Sequence, residues 1–191
     1  MKTLKEMRRE NAVAADLHTE KYLTFFINGQ LFTIPTSEVV EIIRMQPITY
    51  IPNTVAYVKG VINLRGKVVP VIDMRLRFQK EEVPYDTRTS IVIVEKKDMT
   101  VGLIVDSVRD VLDVSSAQIS DSPKFFGRNA IGKNAVSKNF VCGMVTLSEN
   151  ETAMLLDIAK VLTHHSRDSV KAAEKTDSAA DASAQEKAQG N

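Results

Sequence analysis

The sequence predicts an all-β fold made of two similar lobes, with few short helices. Short apolar runs separated by turn signals recur along residues 21–163, helical periodicity is scarce, and one order of strands and turns occurs twice. Hydrophobic residues make up 43% of the 191 residues, which is enough for a sizeable core. Because aromatic residues make up only 6% and Trp is absent, we expect a core of Val, Ile, Leu and Met.

The first predicted element is a β-hairpin. Apolar residues alternate from residue 22 to 27 and again from 32 to 34, and Asn28-Gly29 lies between the two runs. This dipeptide is the strongest short-range hairpin signal, because a type I′ turn requires positive φ at both central residues. The remaining predicted strands are Glu41–Met45, Val58–Leu64, Lys67–Asp73, Ser90–Glu95, Val101–Val105, Val108–Val114, Val141–Leu147 and Thr152–Leu156.

Two short helices are predicted. One is the run Ser-Glu-Val-Val that begins at Ser37, and the other follows Asp157, whose carboxylate is a favoured N-cap. Residues 79–89 are polar and carry no periodic pattern, so we expect them to connect the two halves of the chain.

Two stretches of the chain resemble each other weakly and in the same order. The run SEVVEII at 37–43 resembles DSVRDVL at 106–112, and the strands that follow Gly60 resemble those that follow Gly143. Such a repeat predicts two copies of one supersecondary unit. Chance similarity is the alternative.

The repeat and the composition together predict the domain organisation. We expect one domain at 21–163, with lobes at about 21–86 and 87–163 between which strands can be exchanged. Residues 1–20 are charge-rich and are predicted to be a mobile arm. Residues 164–191 contain too little apolar surface to offset the entropy of ordering, so we expect a disordered tail.

Net charge, cysteine content and the length of the apolar runs restrict the class of protein only broadly. The formal net charge of +1 favours neither nucleic acid nor an anionic membrane as a partner. The single cysteine, Cys142, forms no internal disulfide and lies in an apolar strand, so we expect a buried structural thiol. No apolar run approaches the roughly 20 residues that span a bilayer, so we predict a cytoplasmic protein without membrane insertion.

The stretch GVINLRGKVVPVIDMRLRF at 60–78 is the main candidate site. It is not a phosphate loop, because five residues precede Gly-Lys where that motif has four, and Val68 replaces the required hydroxyl. Its β-branched runs instead predict two strands joined by a tight turn at Gly66, with Pro70 at a sheet edge or a bulge. Arg65 would be exposed there, either simply solvated or binding a partner carboxylate bidentately.

The residues of known catalytic and metal sites are missing. The histidines are His18, His164 and His165, without i,i+4 spacing, and no Cys-x-x-Cys motif occurs. The carboxylates near strand ends form no short paired motif for acid–base chemistry. We therefore expect no metal, no cofactor and no enzymatic activity.

One basic segment supports an alternative. Residues 124–140 combine four cations with Phe125, Phe126 and Phe140 and contain no acid. Small β-barrels bind single-stranded nucleic acid through such a mixture of rings and cations. The phenylalanines could equally anchor the loop in the core, and we favour no nucleic-acid partner.

The sequence closely resembles the CheW-type coupling proteins of bacterial chemotaxis. Residues 58–78 match that family's pattern of a Gly, an Asn-Leu-Arg-Gly turn, a Pro-containing strand and an Asp-Met-Arg end. The runs EVVEI at 38–42, YIPNTVAYVKG at 50–60 and VGLIVDSVRDVL at 101–112 occur in the family's order. The resemblance covers about residues 21 to 163.

This resemblance implies two similar five-stranded SH3-like barrels that share an apolar interior. It implies a non-catalytic scaffold that bridges the cytoplasmic tip of a methyl-accepting chemotaxis receptor and the regulatory domain of a histidine kinase. Such proteins alternate with kinase regulatory domains in rings, in which further copies of the chain are possible partners, so we expect recruitment from the cytoplasm to receptor arrays. A kinase regulatory domain itself is an alternative with the same fold.

The resemblance also implies site residues. Arg65 matches the arginine associated with receptor and kinase control, and Glu41 matches an acid that can pair with it. The other receptor-binding candidates match groove positions on the two lobes: Val39, Gly60, Val108 and Val111. The weaker candidates for kinase binding are Val68 and Val69. Each valine could instead belong to a barrel core.

Overall fold

The computed structural model describes residues 19–121 and 140–162. Residues 1–18 of the predicted arm, the predicted tail and most of the basic segment lie outside them, whereas Thr19 and Glu20, which were assigned to the arm, begin the first strand. The described part of the chain forms eleven strands and little helix. The strands are β1 Thr19–Ile27, β2 Gln30–Pro35, β3 Val39–Arg44, β4 Val58–Leu64, β5 Lys67–Asp73, β6 Ser90–Lys96, β7 Met99–Val105, β8 Ser107–Ser115, β9 Ile119–Asp121, β10 Val141–Ser148 and β11 Glu151–Leu156.

These strands form two sheets of matching order, and the predicted all-β class is confirmed. The first sheet runs β8-β1-β2-β11-β10-β9 and the second runs β3-β6-β7-β5-β4. In each, a hairpin lies between an edge strand and a second hairpin, and the two hairpins meet through a parallel pair, β2 with β11 and β7 with β5. The first sheet has six strands instead of five, because β9 pairs with β10 over three residues.

The two halves of the chain are interleaved. The hairpin β1–β2 belongs to the sheet that also contains β8, β10 and β11, whereas the hairpin β6–β7 joins β3, β4 and β5. Each sheet is therefore completed by a hairpin from the other half of the sequence. The Asn28-Gly29 turn of the first hairpin has φ of 50° and 71°, as its sequence predicts.

The interior consists of one shared core and two smaller cores. The shared core contains side chains from both sheets, among them Leu23 and Phe32 of the first and Val92 and Leu103 of the second. A separate cluster inside the second sheet is formed by Ile62, Val69, Val71, Ile91, Ile93 and Ile104. The corresponding cluster of the first sheet is formed by Tyr22, Val114 and Val145. The predicted common apolar interior is thus present.

One of the two predicted helices is confirmed and the other is not. The Ser37 segment is a single 3-10 turn, Thr36–Glu38, and β3 begins directly after it. Val39 is β-branched and pairs with Val94 of β6, and Val40 falls at a shift in the register of this pairing. Residues 158–162 are helical, and Asp157 caps them by accepting a hydrogen bond from the Lys160 amide. Partial burial acts to raise the pKa of Asp157, but hydrogen bonds from the Lys160 amide and side chain and the charge of Lys160 outweigh it, so the pKa lies below its ordinary value.

A second short helix was not expected from the sequence. Helix α1, Met74–Arg77, follows β5, and the Asp73 side chain caps it by accepting from the Arg75 and Leu76 amides. Pro70 also differs from expectation, because β5 is an interior strand. Its ladder to β7 begins only at Val71, so Pro70 interrupts no pairing with that neighbour.

Candidate functional site

The candidate site is centred on the tip of the β4–β5 hairpin. Leu64 pairs with Lys67, which leaves Arg65 and Gly66 as a two-residue loop. Both loop residues have positive φ, 51° and 85°, as a type I′ turn requires. The Asn63 side chain closes the loop by accepting a hydrogen bond from the Gly66 amide at 2.8 Å.

Arg65 and Glu41 form an ion pair at this tip. Arg65 Nη2 donates to Glu41 Oε2 at 2.7 Å. The Arg65 side chain remains 80% exposed, whereas that of Glu41 is 21% exposed. The carboxylate is therefore held against the protein, and much of the guanidinium faces solvent. Exposed pairs of this kind stabilise a fold by at most about 1 kcal/mol, so stability alone is a weak explanation for it.

The same ion pair shows that the second sheet curls. Glu41 lies on β3, at one edge of the sheet, and Arg65 joins β5 to β4 at the other edge. In a flat sheet these elements would be about 14 to 19 Å apart, at roughly 4.8 Å per strand. The bridge between Thr49 and Val61 brings the chain that follows β3 onto β4 in the same way. The strand order alone would therefore place Glu41 and Arg65 far apart, and the curvature of the sheet brings them together.

The groove candidates occupy three kinds of environment. Val39 of β3 and Val108 of β8 are half-buried and pack against the shared core from equivalent edge strands. Val111, also on β8, is 52% exposed. Gly60 is buried, with φ of 137°, and a Cβ atom there would lie 2.1 Å from the Thr49 carbonyl oxygen. Its role is to let two backbones approach closely.

The two kinase-contact candidates lie on opposite faces of β5. Val68 is 71% exposed, whereas Val69 is 2% exposed and belongs to the inner cluster of the second sheet. This alternation is the period of two that a strand imposes. Val68 can therefore contact a partner directly, and Val69 can act only through the position of its strand.

Two exposed apolar residues were not selected from the sequence. Val40 and Ile42 of β3 are exposed and flank Glu41 on the edge of the second sheet. The signal that could have found them is the run Val-Val-Glu-Ile-Ile, in which an amphipathic edge strand would expose every second residue.

A second ion pair connects the two sheets. Asp106, between β7 and β8, accepts from Arg75 Nε at 2.6 Å and from the Asn28 amide at 2.7 Å. Both charged side chains are largely buried. The pair joins the first hairpin turn to helix α1. Charge-assisted bonds with little solvent are stronger than exposed ones, so we interpret this junction as structural.

A buried arginine forms another structural junction. The Arg77 guanidinium lies 4.5 Å from the Tyr57 ring centre and 4.4 Å from that of Phe140, and it donates to the Val161 carbonyl. It therefore links α1 to helix 158–162. Phe140 is fully buried here, so this ring of the basic segment is unavailable for stacking on a base.

One crevice in the described part of the chain lies beside Asp73 and Tyr85. This crevice has almost no volume in which a ligand could lie, whereas typical ligand pockets have roughly 300 Å³ or more. Burial and a hydrogen bond to Asp73 raise the pKa of Tyr85, which therefore stays protonated. Within residues 19–121 and 140–162 no group of three or more His, Cys, Asp or Glu could hold a metal ion. No helix in these ranges is long and apolar enough to cross a membrane.

The prediction for Cys142 was wrong. Its side chain is exposed and its sulfur lies 3.5 Å from the Leu155 carbonyl oxygen. The neighbouring Gly143 and the residue two further along, Val145, are buried. Because side chains alternate along β10, Cys142 faces outward.

Comparison with known proteins gives a consistent result. The sequence model of the CheW-like domain family matches residues 21–166. Chemotaxis protein CheW of Klebsiella aerogenes is 32% identical over 151 residues, which cover 79% of this chain and 86% of that protein. Chemotaxis protein CheW of Bacillus subtilis is 38% identical over 113 residues, which cover 59% and 72%. The crystal structure of the scaffolding protein TtCheW from Thermoanaerobacter tengcongensis aligns with a TM-score of 0.64 at 28% identity, covering 73% of this chain and 90% of that one.

Proposed function

This chain belongs to the CheW-like domain family of chemotaxis scaffolding proteins, and on that premise we propose that it couples chemoreceptor tips to a histidine kinase. In this proposal it contacts the cytoplasmic tip of a methyl-accepting receptor and the regulatory domain of a chemotaxis kinase. It works without catalysis and transmits receptor state to kinase activity. It is located in the cytoplasm and is recruited to membrane-associated arrays, whose rings can contain further copies of the chain.

The observation that carries this proposal is the geometry of Arg65. Glu41 binds one nitrogen of the guanidinium, and the Arg65 side chain is 80% exposed. A planar guanidinium with free donors binds a carboxylate bidentately. The pair adds little to stability, as described above, so its favoured role is to present a cation to a partner.

Apolar residues near the two edge strands support a helix as that partner. Val39 and Val108 pack at equivalent places against the shared core, and Val111 on β8 is exposed. Helix-in-groove binding uses anchors of this type against the apolar stripe of an amphipathic helix. In the proposal these three valines receive the receptor helix, and Gly60 fixes the strand from which Arg65 projects.

The kinase contact is proposed for the outer face of the β4–β5 hairpin. Val68 is exposed there, two strand positions beyond the Arg65-Gly66 turn. Val69 faces inward and supports the same strand. A contact at Val68 would leave the valines on β3 and β8 to the receptor, and the two contacts would adjoin at the tip of this hairpin, where Arg65 lies.

Calorimetric titration with a soluble receptor-tip fragment tests the proposal. Wild-type protein should bind at one site, and Arg65→Glu should lower the affinity about tenfold or more, because it places an acid where a cation meets the partner. Arg88→Glu is the matched control, since Arg88 is equally exposed and pairs only with its neighbour Asp86 in the contacts described. Circular dichroism should show the same fold in all three proteins.

Two outcomes would contradict this account. Equal binding by the wild type and Arg65→Glu would remove Arg65 from the contact. Failure of the wild type to bind several receptor tips, with the fold intact, would reject receptor coupling.

A further inference from the structure

The turn that carries Arg65 is built from an unfavourable residue. Type I′ turns favour Asn, Asp or Gly at their first central position, because these residues tolerate positive φ. The hairpin β1–β2 follows that rule with Asn28, whereas the hairpin β4–β5 places Arg65 at φ of 51°. Residues held in this region against their preference are concentrated at functional sites, where the surrounding structure determines their conformation.

A single side chain supplies this support on the strand before the turn. Asn63 Oδ1 accepts from the Gly66 amide at 2.8 Å. Gly66 lies in the two-residue loop, beyond the last ladder pair of Leu64 and Lys67, so that ladder offers its amide no partner. We propose that Asn63 is a positioning residue that holds Arg65 in the left-handed conformation before a partner binds.

Asn63 and Glu41 would then restrain different parts of the same residue. Asn63 fixes the backbone of the loop through Gly66, and Glu41 fixes the guanidinium. Ordering a long side chain or a loop during binding lowers affinity, so restraint in the free protein favours association. The effect of Asn63 on binding rests on the proposed receptor contact, whereas the conformation of the turn can be measured without any partner.

An exchange and titration experiment tests the inference. Asn63→Ala removes the acceptor, and Asn63→Asp keeps an acceptor oxygen at the same distance from the backbone. Asp86→Ala is the matched control, because Asp86 Oδ1 also accepts from an amide three residues on, that of Thr89, and lies away from Arg65 in sequence. The readouts are hydrogen exchange at the Gly66 amide and receptor-tip affinity.

We expect protection of the Gly66 amide in the wild type and in Asn63→Asp, and its loss in Asn63→Ala. Loss of one hydrogen bond of ordinary strength should weaken receptor-tip binding about fivefold in Asn63→Ala. Asn63→Asp should retain binding, and Asp86→Ala should leave both the Gly66 amide and the affinity unchanged.

Two results would overturn the inference, and a third would overturn only its consequence for binding. An unprotected Gly66 amide in the wild type would show that Asn63 does not hold the turn. Loss of protection without loss of affinity would show that the turn need not be preset. A wild type that binds no receptor tip would reject the proposed function and the consequence for binding, while the exchange data would still decide whether Asn63 holds the turn.

Discussion

The two sheets share one strand order but are closed by ion pairs of opposite arrangement. In the second sheet the edge strand β3 carries the acid Glu41, and the hairpin tip carries the cation Arg65. In the first sheet the edge strand β8 carries the cation Arg109, which pairs with the acid Glu151 at the start of β11. The fold thus fixes where a closing pair lies and leaves open which strand carries the positive charge.

The exposure of the two cations also differs. The Arg109 side chain is 34% exposed, and it contacts Asp110 as well as Glu151. Arg65 is far more exposed and has Glu41 as its acidic partner among the described residues. Among the described residues, only the second sheet therefore presents a closing cation mainly to solvent, which is why we assign the charged part of the receptor contact to it.

The equivalent glycines give the largest expected difference between the sheets. Gly60→Ala should lower the free energy of unfolding by about 3 kcal/mol or more, because the new Cβ would lie 2.1 Å from the Thr49 carbonyl oxygen at φ of 137°. Gly143→Ala should cost about 1 kcal/mol, since its Cβ would lie 2.9 Å from the Ser120 oxygen and its φ is not positive. Urea denaturation of both variants measures the difference.

Equal costs for the two substitutions would contradict the comparison. Equal costs would mean that β9 leaves as little space for a Cβ atom at Gly143 as the backbone at Thr49 leaves at Gly60. A smaller cost for Gly60→Ala than for Gly143→Ala would show that the approach of Thr49 to β4 is not fixed.

A smaller effect is expected from the pair that closes the first sheet. The hydrogen bond from Arg109 lowers the pKa of Glu151 from its ordinary 4.5. A depressed pKa means that the fold favours the ionised form, so this stabilisation is present above about pH 4.5 and is lost as the pH falls through the folded-state pKa. In Arg109→Ala the pKa of Glu151 should rise towards its ordinary value, as measured by titrating its carboxyl carbon signal. An unchanged pKa would show that the ion pair does not persist in solution.

Much of the fold could be predicted from local patterns. The strands Val58–Leu64 and Lys67–Asp73 have the predicted bounds, because β-branched runs and a glycine turn act over a few residues. The strand β9 was missed, since three residues give no periodic signal. Helix α1 was missed because Asp73 was assigned to the end of a strand, although it is also an N-cap.

The candidate site was predictable in part. An exposed Arg65 beside a glycine turn follows from the sequence, but its positive φ does not, since turn preferences argue against arginine there. The contact with Glu41 depends on the curvature of the whole sheet. The outward direction of Cys142 depends on the register of β10, and a one-residue difference in register reverses it.

The substitution Arg65→Asn tests the central claim most directly, because it separates binding from folding. Asparagine suits the positive φ, and this gain should offset the loss of the exposed ion pair, so the free energy of unfolding should stay within about 0.5 kcal/mol or rise. Affinity for a receptor-tip fragment, measured on the same preparation, should fall about tenfold or more. A variant that binds like the wild type, or that loses more than about 1 kcal/mol of stability while binding survives, would show that Arg65 serves the fold and not a partner.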